Sequence, residues 1–368
     1  MSTTSLPRSE AEAATIRKPL PEDLFVHHDT NAEMRWESVR PDEALTPQDR
    51  LFVRNHTETP VIDVESWSLR IHGSGLLAPE GVSLSYAVLR ALPTTELTTI
   101  LECTGNGRSF FTHQQGQPVP GTPWRMGGVA AVTWHGVRLA EVLDRVGLRP
   151  DALAVMATGL DPSYVCDAGI ERGPVRRPFP VEKALDDALL VWGVNGEDLA
   201  PDHGFPVRLV LPGWVGIANI KWLGSLEIST SELASPWSTE WYRMRGGDHP
   251  ADAPPLTTSP VRSAWELPWE AELPAGPLVL TGRSWSGAGP IAGVDVSVDG
   301  GATWQPAELG ECAAWACWSF AWPDAPAGDH VLMARATDAT GRCQPLTTPF
   351  NNEGYCFDAV VRHPVKVS

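Results

Sequence analysis

Glycine and proline interrupt the hydrophobic pattern at short intervals along the chain, and this spacing limits what the chain can fold into. Apolar segments separate the 33 glycines and 34 prolines, so the composition favours many turns and few long helices, not disorder. With 368 residues, the chain is long enough for two domains with cores of their own.

Residues before about 230 mix strand and helix patterns. Partial alternation and β-branched residues at 97–103 predict a strand. Residues 139–146 have the spacing of an amphipathic helix, which Gly147 is placed to end. Residues 189–194 predict a strand, and Asn195-Gly196 predicts a hairpin turn after it. Since no regular strand–helix–strand repeat is present, the pattern indicates an α+β fold and not a doubly wound sheet.

Beyond about residue 260, only strand and turn patterns occur. The predicted strands are residues 278–285, 294–298, 315–322 and 330–337. Short strands at this spacing are typical of an immunoglobulin-like β-sandwich. We therefore expect an N-terminal tail at 1–45, a first domain at 46–235, a linker carrying Tyr242 at 236–260, and the β-sandwich domain at 261–368.

The formal net charge of -17 argues against nucleic acid and acidic membranes as partners. An anionic substrate would need a local basic pocket whose positive potential outweighs the negative potential of the whole protein. The N-terminus lacks an apolar segment of signal-peptide length, and no window approaches the roughly 20 apolar residues that cross a bilayer. We expect a cytoplasmic protein, or a periplasmic one if a leader has been trimmed.

The six cysteines include no C-x-x-C pair, so zinc ribbons and covalent haem attachment have no support. Cys312 and Cys317 lie close together in the sequence. Because no export signal is seen, both are expected to be reduced.

Cys103 is the sharpest single feature. It follows a predicted strand and precedes the turn Thr104-Gly105-Asn106-Gly107, with Arg108 next. A nearby cation favours thiolate over thiol, and the glycines allow close approach of a bound group. Cys103 is therefore either a metal ligand or nucleophile, or an inert buried cysteine before a turn. The residues alone leave both readings open.

Two cations stand in apolar strand surroundings. Arg208 lies among Val207, Leu209 and Val210, and Lys221 lies between Ile220 and Trp222. A charge in such a place needs a partner or a bound anion. The polar cluster Arg54-Asn55-His56 and the lone His203 would be ordinary loop residues if taken alone. No P-loop, H-E-x-x-H helix or G-x-S-x-G elbow is present, so nucleotide and hydrolase functions have little support.

Together these segments resemble the sulfite oxidase family of molybdenum-cofactor enzymes, in its bacterial form without a haem domain. The similarity runs in one order from about residue 51 to 367. Its pieces are FVRNH at 52–56, LECTGNGR at 101–108, GLDP at 159–162, DHGFPVRLVLPGWVG at 202–216, NIKWLG at 219–224, and SWSGAGPIAGVDVSVDGGATW at 284–304.

The resemblance implies a molybdopterin-binding first domain and a dimerisation domain after it, hence a homodimer. Cys103 would be the only protein ligand to molybdenum, a soft donor beside the two dithiolene sulfurs. The implied catalytic residues are Cys103, Arg54, Arg108, Tyr242 and Trp124. The implied cofactor-binding residues are Phe52, Arg54, Asn55, His56, Cys103, Asp161, His203, Arg208, Asn219, Ile220 and Lys221.

The implied reaction is oxidation of a small sulfur oxyanion, sulfite to sulfate, by oxo transfer. The residues before Phe52 are too few for a haem domain, so an external acceptor, a cytochrome or oxygen, would take the electrons. Two departures soften the substrate prediction: Glu353 and Gly107 stand where the animal enzymes carry arginines. The alternatives are a sulfane-sulfur dehydrogenase or sulfoxide-type reductase of the same family and, more remotely, a non-enzymatic β-sandwich interaction protein.

Overall fold

The computed structural model describes residues 15–40, 42–310 and 312–368. Its first part contains strands β1 (Phe25–His28), β2 (Asn31–Met34), β3 (Val53–Arg54), β4 (Ser68–His72), β5 (Val82–Ser85), β6 (Thr95–Glu102), β7 (Val129–Arg138), β8 (Ala154–Gly159), β9 (Tyr164–Val165), β10 (Glu171–Gly173), β11 (Arg176–Pro180), β12 (Leu189–Val194), β13 (Glu197–Asp198), β14 (Arg208–Val210) and β15 (Leu223–Ser229).

Short helices stand between these strands. They are α1 (Tyr86–Arg90), α2 (Ser109–Gln115), α3 (Leu139–Val146), α4 (Val181–Asp186) and α5 (Pro236–Thr239). Within the described ranges, none of the helices has the length and apolar character needed to cross a membrane. The predicted helix at residues 139–146 is confirmed as α3, and Gly147 ends it in the left-handed conformation, at φ 88°.

Two sheets enclose the core of the first part. One has the order β11-β8-β15-β4-β5, and the other has the order β13-β12-β7-β6, with β14 paired to β12. Leu69 of β4 and Leu226 of β15 meet Leu190 of β12 between the sheets, and α3 adds Leu143 to the same core. This mixed arrangement confirms the predicted α+β class.

Strand β6 carries the chain to the candidate metal ligand. All its residues, Thr95 to Glu102, pair antiparallel with β7. Pairing stops at Glu102, and a turn leads from Cys103 into α2. A fully paired strand is a rigid support, so it fixes the start of this turn.

The second part is a β-sandwich, as predicted. Its strands are β16 (Arg262–Trp265), β17 (Ala271–Leu273), β18 (Gly276–Trp285), β19 (Ile291–Ser297), β20 (Gln305–Pro306), β21 (Glu308–Gly310), β22 (Ala316–Ala325), β23 (Gly328–Asp338) and β24 (His363–Val367). The sheets have the orders β16-β18-β22-β21 and β17-β24-β23-β19-β20. Leu280 and Phe320 of the first sheet pack against Val296 and Leu332 of the second.

Two expectations differ from the structure. Residues 15–40, interpreted as part of a tail, contain β1 and β2, which pair with each other and with β3. Met34 of β2 is 1% exposed, so buried apolar side chains hold this segment although its sequence lacks periodicity. Residues 1–14 lie outside the described residues.

Cys312 and Cys317, expected to be reduced, form a disulfide. Their Cα atoms are 5.7 Å apart, a separation that a disulfide spans without backbone movement. The expectation of reduced thiols was wrong because it used the absence of an export signal. The fold brings the two cysteines together at the turn that leads into β22.

Candidate active site

Cys103 lies on the wall of a cleft on the face of β7 and β14 that points away from the core between the two sheets. The side chain is buried, and backbone hydrogen bonds hold the start of the turn. The Cys103 N–H donates to the Gly128 carbonyl at 2.8 Å, and the Cys103 carbonyl accepts from the Asn106 N–H at 2.9 Å. Burial raises the pKa of the Cys103 thiol, while Arg54 and Arg108 act in the opposite direction.

A buried ion pair supports this turn from behind. Arg262 Nε lies 2.9 Å from a carboxylate oxygen of Glu102, and both side chains are 2% exposed. Asn106 Nδ2 donates to the same carboxylate at 2.9 Å, and Asn106 Oδ1 accepts from the Gly128 N–H at 3.0 Å. Gly107 has φ +81°, and a Cβ there would stand 2.6 Å from the Arg262 guanidinium. The packing therefore accounts for glycine where an arginine was expected.

In the described part of the chain, two cations of the cleft, buried Arg208 and half-buried Lys221, form no ion pair with a carboxylate. Arg208 is 4% exposed and donates to the carbonyls of His203 and Asn219, at 3.0 and 3.2 Å. Its Nε has no hydrogen-bond partner, and burial lowers its pKa to about 9. Lys221 donates to Asn55 Oδ1 and to the Asp202 carbonyl, and burial lowers its pKa as well. Such groups lower their desolvation cost by binding an anion.

The residues of the cleft fit a pterin cofactor with an anionic tail. Within the described residues, the donor Arg208 Nε and the ring nitrogen His203 Nε2 are buried without hydrogen-bond partners, so both could bond to polar atoms of a bound group. Cys103 supplies one soft sulfur donor of the kind that suits a dithiolene-bound metal. The free space is only about 80 Å³, and Arg54, His56 and Lys221 line it. Binding would exchange the hydrogen bonds of Arg54 to His56 and of Lys221 to Asn55 for bonds to the cofactor.

His56 is the centre of a polar group at the other end of the cleft. Its Nε2 lies 3.1 Å from Tyr242 Oη, 3.1 Å from Arg54 Nη2 and 3.4 Å from Trp237 Nε1. Burial and the charges of Arg54 and Lys221 lower the His56 pKa far below its usual value. The neutral imidazole can therefore accept from Tyr242, whose own pKa is raised by burial. Tyr242 also stacks on Tyr355, with ring centroids 5.0 Å apart.

Most of the site residues predicted from the sequence line this one cleft. Arg108 and Trp124 do not. The Arg108 guanidinium donates to the carbonyls of Glu353 and Thr122, at 2.9 and 3.1 Å. Trp124 is fully buried behind Phe52, with ring centroids 6.1 Å apart. The predicted residues on the cleft wall are Phe52, Arg54, Asn55, His56, Cys103, Asp161, His203, Arg208, Asn219, Ile220, Lys221 and Tyr242.

Other cleft residues were not predicted. Trp134 lines the cleft with an unpartnered indole N–H, and the Arg208 guanidinium lies 4.9 Å from its ring centroid. Asp202 also lines it, and its carboxylate accepts from the backbone N–H groups of Arg17 and Lys18. Asp202 precedes His203 in the segment DHGFPVRLVLPGWVG, so the sequence could have indicated Asp202 as well. Nothing in the sequence marks Trp134.

In the first part, an α+β domain, a buried thiol at a strand end shares a cleft with cations, and a β-sandwich follows this domain. This combination defines a molybdopterin-dependent oxidoreductase. Two family profiles agree: an oxidoreductase molybdopterin binding domain matches residues 56–237, and a Mo-co oxidoreductase dimerisation domain matches residues 260–367. The chain belongs to the sulfite oxidase family of molybdenum-cofactor oxidoreductases.

Named relatives support this membership. Sulfite oxidase of Gallus gallus is 35% identical over 82% of this chain and 68% of its own length. Mitochondrial sulfite oxidase of Homo sapiens is 34% identical over 92% of this chain and 65% of its own length. The chain thus spans about two thirds of these relatives. The crystal structure of the sulfane dehydrogenase SoxCD from Paracoccus pantotrophus superposes with a TM-score of 0.78 at 26% identity, covering 97% of this chain and 92% of that one.

Proposed function

We propose that this protein oxidises a small sulfur oxyanion, sulfite to sulfate, and passes the electrons to an external acceptor. One observation carries the proposal. The Cys103 thiol shares one cleft with Arg54 and Tyr242 and with the cations Arg208 and Lys221. This gives a metal-ligating sulfur, an oxyanion site and an anion-binding cofactor site in one place.

The chain's residues would hold the cofactor at two kinds of contact. Cys103 would ligate molybdenum, while Arg208, Lys221 and His203 would bind the anionic tail through charge-assisted hydrogen bonds. When bound, the molybdenum cofactor supplies a two-electron centre for oxo transfer. The backbone carbonyls of His203 and Asn219 already hold Arg208, so it needs little reorganisation to receive the cofactor, whereas Lys221 would exchange its bond to Asn55.

Arg54 would orient the substrate. Its guanidinium is held by Asn31 Oδ1 at 3.4 Å, by the Asn55 carbonyl and by His56. A guanidinium fixed in this way presents its remaining donors to an oxyanion in a set geometry. Tyr242 would keep its hydroxyl proton directed at neutral His56, which leaves the phenol oxygen free to accept. The ring of Trp237, fully buried beside them, excludes water from this group.

We expect one molybdenum per chain in protein made in a cofactor-competent host. The expectation follows from one soft thiolate in a cleft of otherwise unpaired donors. Elemental analysis measures the metal, and fluorescence of the released, oxidised pterin measures the cofactor independently. Protein from a host without the cofactor pathway is the control. Absence of both metal and pterin from the competent host would contradict the proposal.

Arg54→Gln is expected to raise the apparent KM for sulfite about 10- to 100-fold, because a hydrogen bond to a charged group contributes about 1.5–3 kcal/mol. Steady-state assays with sulfite and ferricyanide measure this. Arg90→Gln is the control, since Arg90 lies on the surface, 42% exposed, and pairs with Asp198. An unchanged KM in Arg54→Gln would mean that Arg54 does not meet the substrate.

The second candidate is a sulfane-sulfur dehydrogenase. The structural likeness to the sulfane dehydrogenase from Paracoccus pantotrophus favours it, as does Glu353. The Glu353 backbone carbonyl accepts from Arg108, and Glu353 stands in the sequence where the animal enzymes carry an arginine. Loss of that positive charge would weaken binding of a free sulfite dianion. Parallel assays with sulfite and with a protein-bound persulfide separate the two functions.

We further propose that the chain forms a homodimer through residues 261–368, with the cofactor bound by residues 46–235. The dimerisation-domain match to residues 260–367 supports this arrangement. Light scattering is expected to give twice the chain mass, and a monomer at micromolar concentration would contradict it.

The cytoplasmic placement stays a prediction from the sequence. The Cys312–Cys317 disulfide favours the periplasmic alternative, because such bonds persist in oxidising compartments.

A further inference from the structure

A buried arginine lies next to Tyr242, outside the residues that line the cleft. Arg177 stands on β11, whose residues Arg176 to Pro180 all pair with β8, and it is only 1% exposed. The central carbon of its guanidinium is 6.0 Å from the centroid of the Tyr242 ring. Because β11 is fully paired, it gives this charged group a rigid support.

The Arg177 guanidinium joins the two ends of the segment that carries Tyr242, residues 237–256, which we name the Tyr242 segment. Its Nη1 donates to the Trp237 carbonyl, and its Nη2 donates to the Leu256 carbonyl at 2.6 Å. Leu256 in turn donates its N–H to the Tyr242 carbonyl at 2.8 Å. A planar guanidinium can hold both carbonyls at once, whereas a lysine ammonium is a point charge on a flexible stem.

The backbone of Tyr242 needs such a clamp. Its φ of +56° lies in the left-handed region, which is unfavourable for a bulky side chain. Conformations of this kind persist only where the surrounding structure fixes them, and they are frequent at active sites. A change in this backbone would move the Tyr242 hydroxyl, which lies 3.1 Å from His56 Nε2. The two carbonyl contacts of Arg177 therefore bear on the geometry of the cleft.

The charge of Arg177 has a cost that two carbonyl contacts do not offset. In the described part of the chain it forms no ion pair with a carboxylate, and its Nε has no hydrogen-bond partner. Burial lowers the pKa of this guanidinium to about 10. A buried cation without a counter-ion is unfavourable, and an anion that binds near it lowers the cost. Arg54 and Tyr242 line the cleft in which we place the sulfur oxyanion, so that anion accounts for a cation next to Tyr242.

We propose that Arg177 is a positioning residue for Tyr242: it holds the strained backbone of the Tyr242 segment, so that the phenol hydroxyl stays beside His56, where the oxyanion would bind. The effect on turnover rests on the proposed oxidation of a sulfur oxyanion, whereas the effect on the backbone does not. Loss of the clamp is expected to loosen the Tyr242 segment and to lower turnover through Tyr242 alone.

Hydrogen–deuterium exchange of the purified enzyme, followed by mass spectrometry, tests the clamp without any substrate. Arg177→Met removes both donors and the charge, and Arg177→Lys keeps the charge without the planar fork. Both are expected to speed amide exchange in residues 237–256 about tenfold or more, because hydrogen bonds from a charged group to this segment are lost. Either variant serves in this test and the next if the other does not fold.

Arg283→Lys is the matched control. Arg283 is equally buried, at 1%, but its partners are Glu266 and the Arg40 carbonyl, so its replacement should leave exchange in the Tyr242 segment unchanged. Exchange at the wild-type rate in the Arg177 variants, or equal acceleration in the control, overturns the proposal.

A double-mutant cycle tests whether Arg177 acts through Tyr242. In steady-state assays with sulfite and ferricyanide, Arg177→Met is expected to lower kcat/KM about tenfold, and Tyr242→Phe at least as much. The double variant should be no worse than Tyr242→Phe, because removal of the hydroxyl leaves nothing for the clamp to place. Arg283→Lys should instead combine with Tyr242→Phe as the product of the two separate losses, as independent sites do.

Losses that multiply for Arg177→Met and Tyr242→Phe would show a merely structural role and overturn the proposal. A wild-type enzyme without sulfite turnover contradicts the proposed function instead, and the exchange measurement then decides the role of Arg177.

Discussion

Cys103→Ala is expected to abolish sulfite-dependent turnover and leave the fold intact. The side chain supplies the single soft donor of the cleft, and loss of a direct ligand should exceed the roughly 10- to 100-fold cost of removing an outer partner of a metal site. The fold should persist because the turn is held by backbone bonds of Cys103 to Gly128 and Asn106, which alanine retains. Steady-state turnover, molybdenum content and circular dichroism measure the three consequences.

Cys356→Ala is the matched control for this substitution. Cys356 is a second buried thiol, 8% exposed, and its N–H donates to the Thr104 carbonyl beside Cys103. If turnover depends on ligation by Cys103, the Cys356 variant keeps its molybdenum and most of its activity. Equal losses in the two variants would show that the turn needs buried thiol volume, and turnover unchanged in Cys103→Ala would remove Cys103 from its role.

Most of the predicted site residues line one cleft, and the sequence could indicate them because they come in short local segments. Arg54, Asn55 and His56 are consecutive, and a strand end delivers Cys103. The sequence also indicated a role for Arg208 and Lys221, because a cation among apolar strand residues needs a partner or a bound anion. Helix α3 and strand β12 followed from periodicity for the same reason: each pattern is complete within ten residues.

The remaining features depend on residues that meet only in the folded chain. Trp124 was expected at the substrate, yet the structure places it behind Phe52, since burial depth cannot be read from one aromatic residue in a loop. The pairing of Glu102 with Arg262 joins β6 to the first strand of the β-sandwich, across 160 residues of sequence. No local pattern encodes such a contact, although it supports the turn that carries Cys103.

That pairing leads to the largest expected effect on stability. Arg262→Ala should lower the free energy of unfolding by about 3–5 kcal/mol, because it leaves the Glu102 carboxylate buried without a counter-ion. The loss should be smaller in the double variant Glu102→Gln, Arg262→Ala, where no uncompensated charge remains. Urea unfolding followed by circular dichroism measures both. Since Arg262 also donates to the Asn106 carbonyl, at 2.6 Å, the single variant should retain less molybdenum.

Arg335→Ala provides the comparison, because Arg335 and Asp295 form an ion pair at 3.3 Å with side chains 30% and 46% exposed. An exposed pair of this kind contributes about 0–1 kcal/mol, so the two alanine variants should differ by several kilocalories per mole. Equal losses would mean that solvent reaches Glu102 when its partner is removed. The Cys103 turn would then depend on its backbone hydrogen bonds alone, and molybdenum retention in Arg262→Ala would match that of the wild type.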